Sequence, residues 1–262
     1  MSSHGPLVDL KIGNDGISLM TLQRPPVNIM NLNLLHEMNQ ALDEIEKNKC
    51  KGLIISSALP TVFSAGLDIS ELYKPDLKRT EEFYRLLLEA YLKIFDSKFI
   101  TTAAINGHAL AGGCLLAIAT EYRVMVNGEY KIGFNEAAFG MTVPNWVMDA
   151  LCHILPVKKA EYILTTAQQF TADEALKVGL IDETATDKLD VIDKCKSFIR
   201  RFNDIPYSTR SLTKQRIREG IVGRFKKRRE IEVKEYLTYV SDPQIQQSLE
   251  LYIKALKNKN ST

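Results

Sequence analysis

The 262-residue sequence predicts an α/β fold followed by an all-helical C-terminal region. Three observations carry this. Short, largely apolar segments occur at 52–56, 99–105 and 123–126, too short for domain helices. Strands that are apolar without alternation are buried on both faces, as parallel strands covered by helices are. Between them run stretches of helical periodicity, and beyond residue 188 only helical patterning remains. The chain is therefore divided into a core, 1–188, and a helical region, 189–262.

In chain order, Val8–Ile12 and Ile17–Leu22 flank Asn14-Asp15-Gly16, which reads as a hairpin. Arg24-Pro25-Pro26-Val27-Asn28 follows, and its two prolines forbid a regular ladder or helix. A helix is expected from about Leu32 to Lys47, because Leu34, Met38, Ala41 and Ile45 recur at helical spacing. After the strand at 52–56 comes Phe63-Ser64-Ala65-Gly66-Leu67-Asp68, then a Glu-, Lys- and Leu-rich helical stretch to about Ile94. The strand at 99–105 leads into Asn106-Gly107 and Ala109-Leu110-Ala111-Gly112-Gly113, from which a compact helix runs to Thr120. The chain turns helical again after Gly140, where Pro144 suits a first turn. Trp146, Val147, Ala150, Leu151 and Ile154 make one stripe of that helix. Thr171 and Glu174 form a capping box, and Gly179 ends the helix they open. Helices are expected over about 189–202, 208–219 and 225–239. Asp242-Pro243 opens a last one, with Ile245, Leu249, Tyr252, Ile253 and Leu256 on its apolar face.

Composition narrows the function. Lys plus Arg number 34 and Asp plus Glu 32, a net charge of +2 that calls for neither nucleic acid nor a membrane surface. No apolar run reaches the roughly 18 residues of a membrane span. Four cysteines, at 50, 114, 152 and 195, form no C-x-x-C pair and no zinc-spaced cluster, so free thiols in a reducing compartment are expected. The start, MSSHGPLVDLKIG, has no signal-peptide stretch, and KNKNST is not a peroxisomal tripeptide of the Ser-Lys-Leu kind.

Two segments share a design: Ser64–Asp68 and Asn106–Gly113 are each small-residue turns between a strand and a helix. The first turn of a helix has backbone N–H groups without intrahelical partners. Two such groups aimed at one point can hold a carbonyl oxygen as it becomes negative, and glycine lets the backbone approach closely. Neither loop carries the dinucleotide G-x-G-x-x-G or the Walker A pattern, which sets aside NAD and ATP.

With RPPVN (24–28), VFSAGLDISEL (62–72), AINGHALAGGCLLA (104–117), YRVM (122–125), IGFNEAAFGM (132–141), SLTKQ (211–215) and YVSDPQIQQSL (239–249), the chain resembles the enoyl-CoA hydratase/isomerase (crotonase) superfamily over nearly its whole length, most closely the mitochondrial-type Δ3,Δ2-enoyl-CoA isomerases. The resemblance implies a crotonase-like spiral of β-β-α units over 1–188. It also implies a helical region, 189–262, that serves trimerisation and closes the pocket. It implies a homotrimer acting on acyl-CoA in the mitochondrial matrix, with peroxisome or cytoplasm as alternatives. No cofactor is implied beyond the CoA of the substrate. By similarity, the N–H groups of Leu67 and Gly112 form an oxyanion hole. Ala65, Gly66, Leu67, Asp68 and Ile69 line the CoA side, and Glu136 is the catalytic glutamate. Leu115 stands where hydratases carry a second glutamate.

The residues themselves favour isomerisation. Moving a double bond from C3 to C2 needs one carboxylate, to take a proton from C2 and return it at C4. Hydration needs a positioned water and suits two carboxylates, which Leu115 does not supply. No other charge lies between Ile132 and Met148, and an isolated carboxylate in such surroundings is costly to bury without a task. Hydratase or another enolate-forming reaction, and a silent acyl-CoA-binding protein, are the alternatives. A dienoyl isomerase would need a second acid in the pocket. Phe139 and Trp146 wall the acyl tunnel or belong to the core. Asp68 is read as a cap, Asn106 as a brace of its turn, and Asn135 as either orienting Glu136 or holding its loop. His108 is read as loop support, and His36 and His153 as ordinary helix residues. The basic run at 224–229 is a solvated helix face or a contact for CoA phosphates; one aromatic among its residues argues poorly for RNA.

Overall fold

A computed structural model describes residues 5–259; the expectations for the extreme termini lie outside them. Ten strands and nine α-helices are described. β1 (Val8–Ile12) and β2 (Ile17–Leu22) form the expected hairpin, followed by α1 (Leu32–Lys47). Next come β3 (Gly52–Ser57), β4 (Val62–Ser64) and α2 (Leu77–Phe95), then β5 (Ile100–Ile105), β6 (His108–Leu110) and α3 (Gly112–Ile118). β7 (Tyr122–Val126), β8 (Ile132–Gly133) and α4 (Asn145–Ile154) repeat the pattern. α5 (Val157–Thr166), β9 (Gln169–Phe170), α6 (Ala172–Val178) and β10 (Glu183–Ala185) complete the core. α7 (Lys188–Arg200), α8 (Tyr207–Ser241) and α9 (Pro243–Lys259) follow.

β1 and β2 both join the large sheet, whereas the three units that follow, β3-β4-α2, β5-β6-α3 and β7-β8-α4, split their strands. The first strand enters a six-stranded sheet of order β1-β2-β3-β5-β7-β10, parallel throughout except at β1–β2. The second strand enters a four-stranded sheet, β4-β6-β8-β9. This is the spiral that the resemblance implied.

The large sheet is covered on both faces, which is why its strands read as continuous apolar runs. Side chains alternate across a strand. Leu53, Ile55, Ala103, Ile105 and Met125 face the main core with α1 and α2. Ile54, Ala104, Val124 and Val126 face the other way, against Val191, Cys195 and Ile199 of α7. The helix starts follow local chemistry: Asn31 caps α1, Asp76 caps α2, and Thr171 with Glu174 closes the capping box of α6.

One expectation is corrected. The helices foreseen at 208–219 and 225–239 are a single 35-residue helix, α8. Gly220 and Gly223 interrupt the apolar pattern, but each costs only about 1 kcal/mol in a helix. Val222, Phe225, Val233, Tyr236 and Val240 are all buried and hold the helix together across them. The basic run is a solvated face: Arg224 pairs with Asp149, Lys226 with Asp96, Arg228 with Glu232 and Glu235, and Arg229 with Glu89. No described helix is long and apolar enough to cross a membrane.

Candidate active site

The Arg24–Asn28 segment, shut out of the sheet by its prolines, is the frame of the first loop. Buried Asn28 donates from Nδ2 to Ser57 Oγ (2.8 Å) and Phe63 O (3.0 Å), and its Oδ1 accepts from Arg24 N–H (2.7 Å). Ser64 Oγ donates to Asn28 O at 2.8 Å, and Ala65 N–H donates to Val27 O at 3.0 Å. Gly66 follows at φ +104, a conformation that L side chains rarely adopt. Asp68 caps the one-turn helix Ile69–Glu71 through Ser70 N–H and pairs with Arg24 at 3.2 Å. Buried Glu71 accepts from Leu32 N–H (3.0 Å) and from both Nε and Nη2 of Arg79, fixing the loop to α1 and α2.

This frame sets the direction of one amide. Met30 and Leu67 form a parallel bridge in which Asp68 N–H donates to Met30 O and Met30 N–H to Gly66 O. The flanking residues make the bonds, so the Leu67 N–H points away from Met30. A Cβ added to Gly112 would lie 3.2 Å from Leu67 N, and one added to Gly66 would lie 3.1 Å from Gly112 N. Gly112 is the first residue of α3, where an N–H has no intrahelical acceptor. Ala111 before it sits at φ 51, ψ −118, a strained conformation for alanine worth roughly 1–3 kcal/mol. Two amides without backbone acceptors among the described residues thus lie side by side at the edge of one cavity.

The cavity has a volume of about 930 Å³. Ala65, Leu67, Asp68, Ile69, Gly112, Leu115, Glu136, Phe139 and Trp146 all line it; Gly66 lies in the same loop without lining it. Glu136 begins a one-turn helix, Glu136–Phe139, that Gly140 ends in the left-handed conformation. Its Oε2 is enclosed without a hydrogen-bond partner among the described residues. Burial pushes its carboxyl up to about 7, against a smaller opposing effect of its own and Asn135's backbone amides. The side chain of Asn135 makes no capping bond.

The chain matches the model of the enoyl-CoA hydratase/isomerase family over residues 13–260. It belongs to that family. Among curated family members, the mitochondrial enoyl-CoA delta isomerase 1 of Mus musculus is 36% identical over 249 residues, 94% of this chain and 86% of its own length. The Homo sapiens counterpart is 33% identical over 246 residues, 93% of this chain and 81% of its own. The crystal structure of human mitochondrial delta3-delta2-enoyl-CoA isomerase superposes with a TM-score of 0.93 at 32% identity, over 97% of this chain and 99% of that one. A probable enoyl-CoA hydratase of Mycobacterium avium is 30% identical over 191 residues, 73% of this chain and 74% of its own.

Within this family frame the remaining residues separate. Trp146 both lines the cavity and lies in the core, donating from Nε1 to the Tyr84 hydroxyl at 2.9 Å. Phe139 packs on Tyr252 of α9, ring centroids 4.0 Å apart. His108 accepts from Lys131 N–H through Nδ1 and packs edge-on against Tyr130, as loop support. Asn106 donates to Leu59 O at 2.6 Å and braces its turn. Much of the lining escaped sequence reasoning: Tyr84 and Leu87 of α2, Val143, and Tyr236 and Tyr239 of α8. Tyr239 was legible only as a helix residue, yet its hydroxyl accepts from Thr142 N–H at 2.9 Å and ties α8 to the Glu136 loop.

Proposed function

We propose that this protein is a Δ3,Δ2-enoyl-CoA isomerase of unsaturated fatty acid β-oxidation, converting 3-enoyl-CoA to trans-2-enoyl-CoA. The observation that carries the reading is an enclosed carboxylate, Glu136, in a largely apolar cavity edged by two amides, its Oε2 and both amides without partners among the described residues; Asp68, the other carboxylate of the lining, is engaged by Arg24 and Ser70. Glu136, ionised, takes a proton from C2. The thioester oxygen becomes an enolate oxygen and accepts from the N–H groups of Leu67 and Gly112. Each donor is worth about 3 kcal/mol, roughly a hundredfold in rate. Glu136 then returns the proton at C4. A carboxyl held near 7 is matched to both halves of this exchange at neutral pH.

Leu115, 5% exposed and lining the cavity, is the reason to prefer isomerisation over hydration. An alkyl group there can neither orient nor deprotonate water. The named mitochondrial isomerases that the chain resembles support the same reaction and a mitochondrial location, which we read as the matrix. Ala65–Ile69 form the CoA side of the pocket. We further read the assembly as a homotrimer, in keeping with the superfamily; sedimentation equilibrium giving the mass of one chain or of two would rule this out.

The test is a paired assay on purified protein. With 3-hexenoyl-CoA, formation of the 2-enoyl product is followed; with 2-hexenoyl-CoA, formation of 3-hydroxyacyl product. Isomerisation is expected to exceed hydration by at least about a hundredfold. Dominant hydration would overturn the assignment, and turnover of neither substrate would point to another acyl-CoA reaction or to a silent binding protein.

A further inference from the structure

The cavity has a direction that the reaction does not use. At one end its lining is open: Pro26 and Ser70 are exposed, and Leu256 is 40% exposed. At the other it is closed by side chains that are almost wholly buried, among them Tyr84 (1% exposed), Leu87 (5%), Trp146 (4%) and Tyr236 (7%). Leu67, Gly112 and Glu136 line the same cavity. With the CoA at the open part, an acyl chain that is to be shielded from water extends toward the closed one.

That end is packed with aromatic rings. The rings of Tyr84, from α2, and Tyr236, from α8, stack with centroids 3.7 Å apart and planes within 2°. Trp146, from α4, fastens the pair through its bond to the Tyr84 hydroxyl. Behind this layer Trp146 packs on Tyr91 at 4.8 Å and on Phe225 at 5.7 Å, and neither of those rings lines the cavity. Three helices therefore lock two aromatic layers across the cavity's end. Aromatic rings buried in this way do not step aside for a longer ligand, because close-packed cores resist added volume.

We propose that the stacked Tyr84–Tyr236 pair is the floor of the acyl-binding cavity and fixes the longest acyl chain that the protein accepts. This rests on the isomerase reading for its reaction, but not for its geometry. Removing the Tyr236 ring opens space into which further methylenes can be buried, and two more of them are worth about a tenfold gain.

The experiment measures kcat/KM for 3-enoyl-CoA thioesters from six to sixteen carbons in wild type, Tyr236→Ala, Tyr236→Phe and Leu87→Phe. Saturated acyl-CoAs of the same lengths are titrated by calorimetry in parallel. Tyr236→Ala is expected to raise the relative kcat/KM just beyond the wild-type optimum by about tenfold. Tyr236→Phe, which keeps the ring, is expected to leave the profile unchanged. Leu87→Phe, which adds volume at the floor, is expected to move it to shorter chains, and it carries the test should Tyr236→Ala fail to fold. Superimposable length profiles in wild type and both volume-changing variants would overturn the proposal. Absence of isomerisation in every protein, with the binding profiles still shifting as described, would reject the isomerase reading and keep the floor.

Discussion

At the scale of single residues, the surroundings of one carboxyl group set its chemistry. Burial raises Glu136 to about 7 from an ordinary value of 4.5. The base form is the ionised one, so kcat/KM for 3-enoyl-CoA is predicted to rise with pH through about 7 and to level off above it. The linked stability has the opposite sign. Because the folded value lies above the unfolded one, the folded state binds more protons between about pH 4.5 and 7. Glu136 therefore contributes stability at low pH that is lost as pH rises through 7. Glu136→Gln should unfold at higher urea concentration than wild type at pH 8, by about 1–3 kcal/mol, and show no such gain at pH 5. Glu136 was legible because it is the only charge in a long apolar stretch. Tyr84 and Tyr236 were not: each sits in a helix whose sequence neighbours are charged, and only the crossing of α2 and α8 brings their rings together.

At the scale of elements, adjacent glycines at the start of α3 have separable tasks. A Cβ at Gly112 would meet the flexible Met30 Cε at 2.8 Å and lie 3.2 Å from Leu67 N, in the space between the two amides. A Cβ at Gly113 would lie 2.2 Å from Ser64 O, in the backbone of β4. Gly112→Ala is predicted to fold with nearly wild-type urea stability and to lose about a hundredfold in kcat/KM. Gly113→Ala is predicted to lose about 2–3 kcal/mol of stability, because no side chain there can yield. Equal stability losses in the two variants would contradict this division. The elements that carry the site were the hardest to read in the sequence. β4, β6 and β8 are three, three and two residues long, too short to show a period, although the small-residue turns beside them were plain. The long strands and capped helices were legible because alternation, helical spacing and capping boxes are local signals. The unbroken course of α8 was not, since burial against the rest of the molecule overrides its two glycines.

At the scale of the whole molecule, the spiral brings together what the chain holds far apart. The large sheet, covered by α7 on one face and by α1 and α2 on the other, fixes the starts of the loops. The small sheet turns those loops toward one cavity. α8 and α9 then close it with Tyr236, Tyr239, Leu249 and Tyr252. The apolar face of α9 was readable from its spacing, but its destination against Phe139, beside Glu136, was not. The central claim is that one carboxylate in this enclosure performs both proton transfers. Its most direct test is Glu136→Gln, assayed for isomerisation of 3-hexenoyl-CoA alongside calorimetric binding of hexanoyl-CoA. A loss of at least about a thousandfold in kcat is expected, with binding nearly unchanged. A variant that keeps a tenth or more of wild-type kcat would contradict it, and would mean that another group moves the proton.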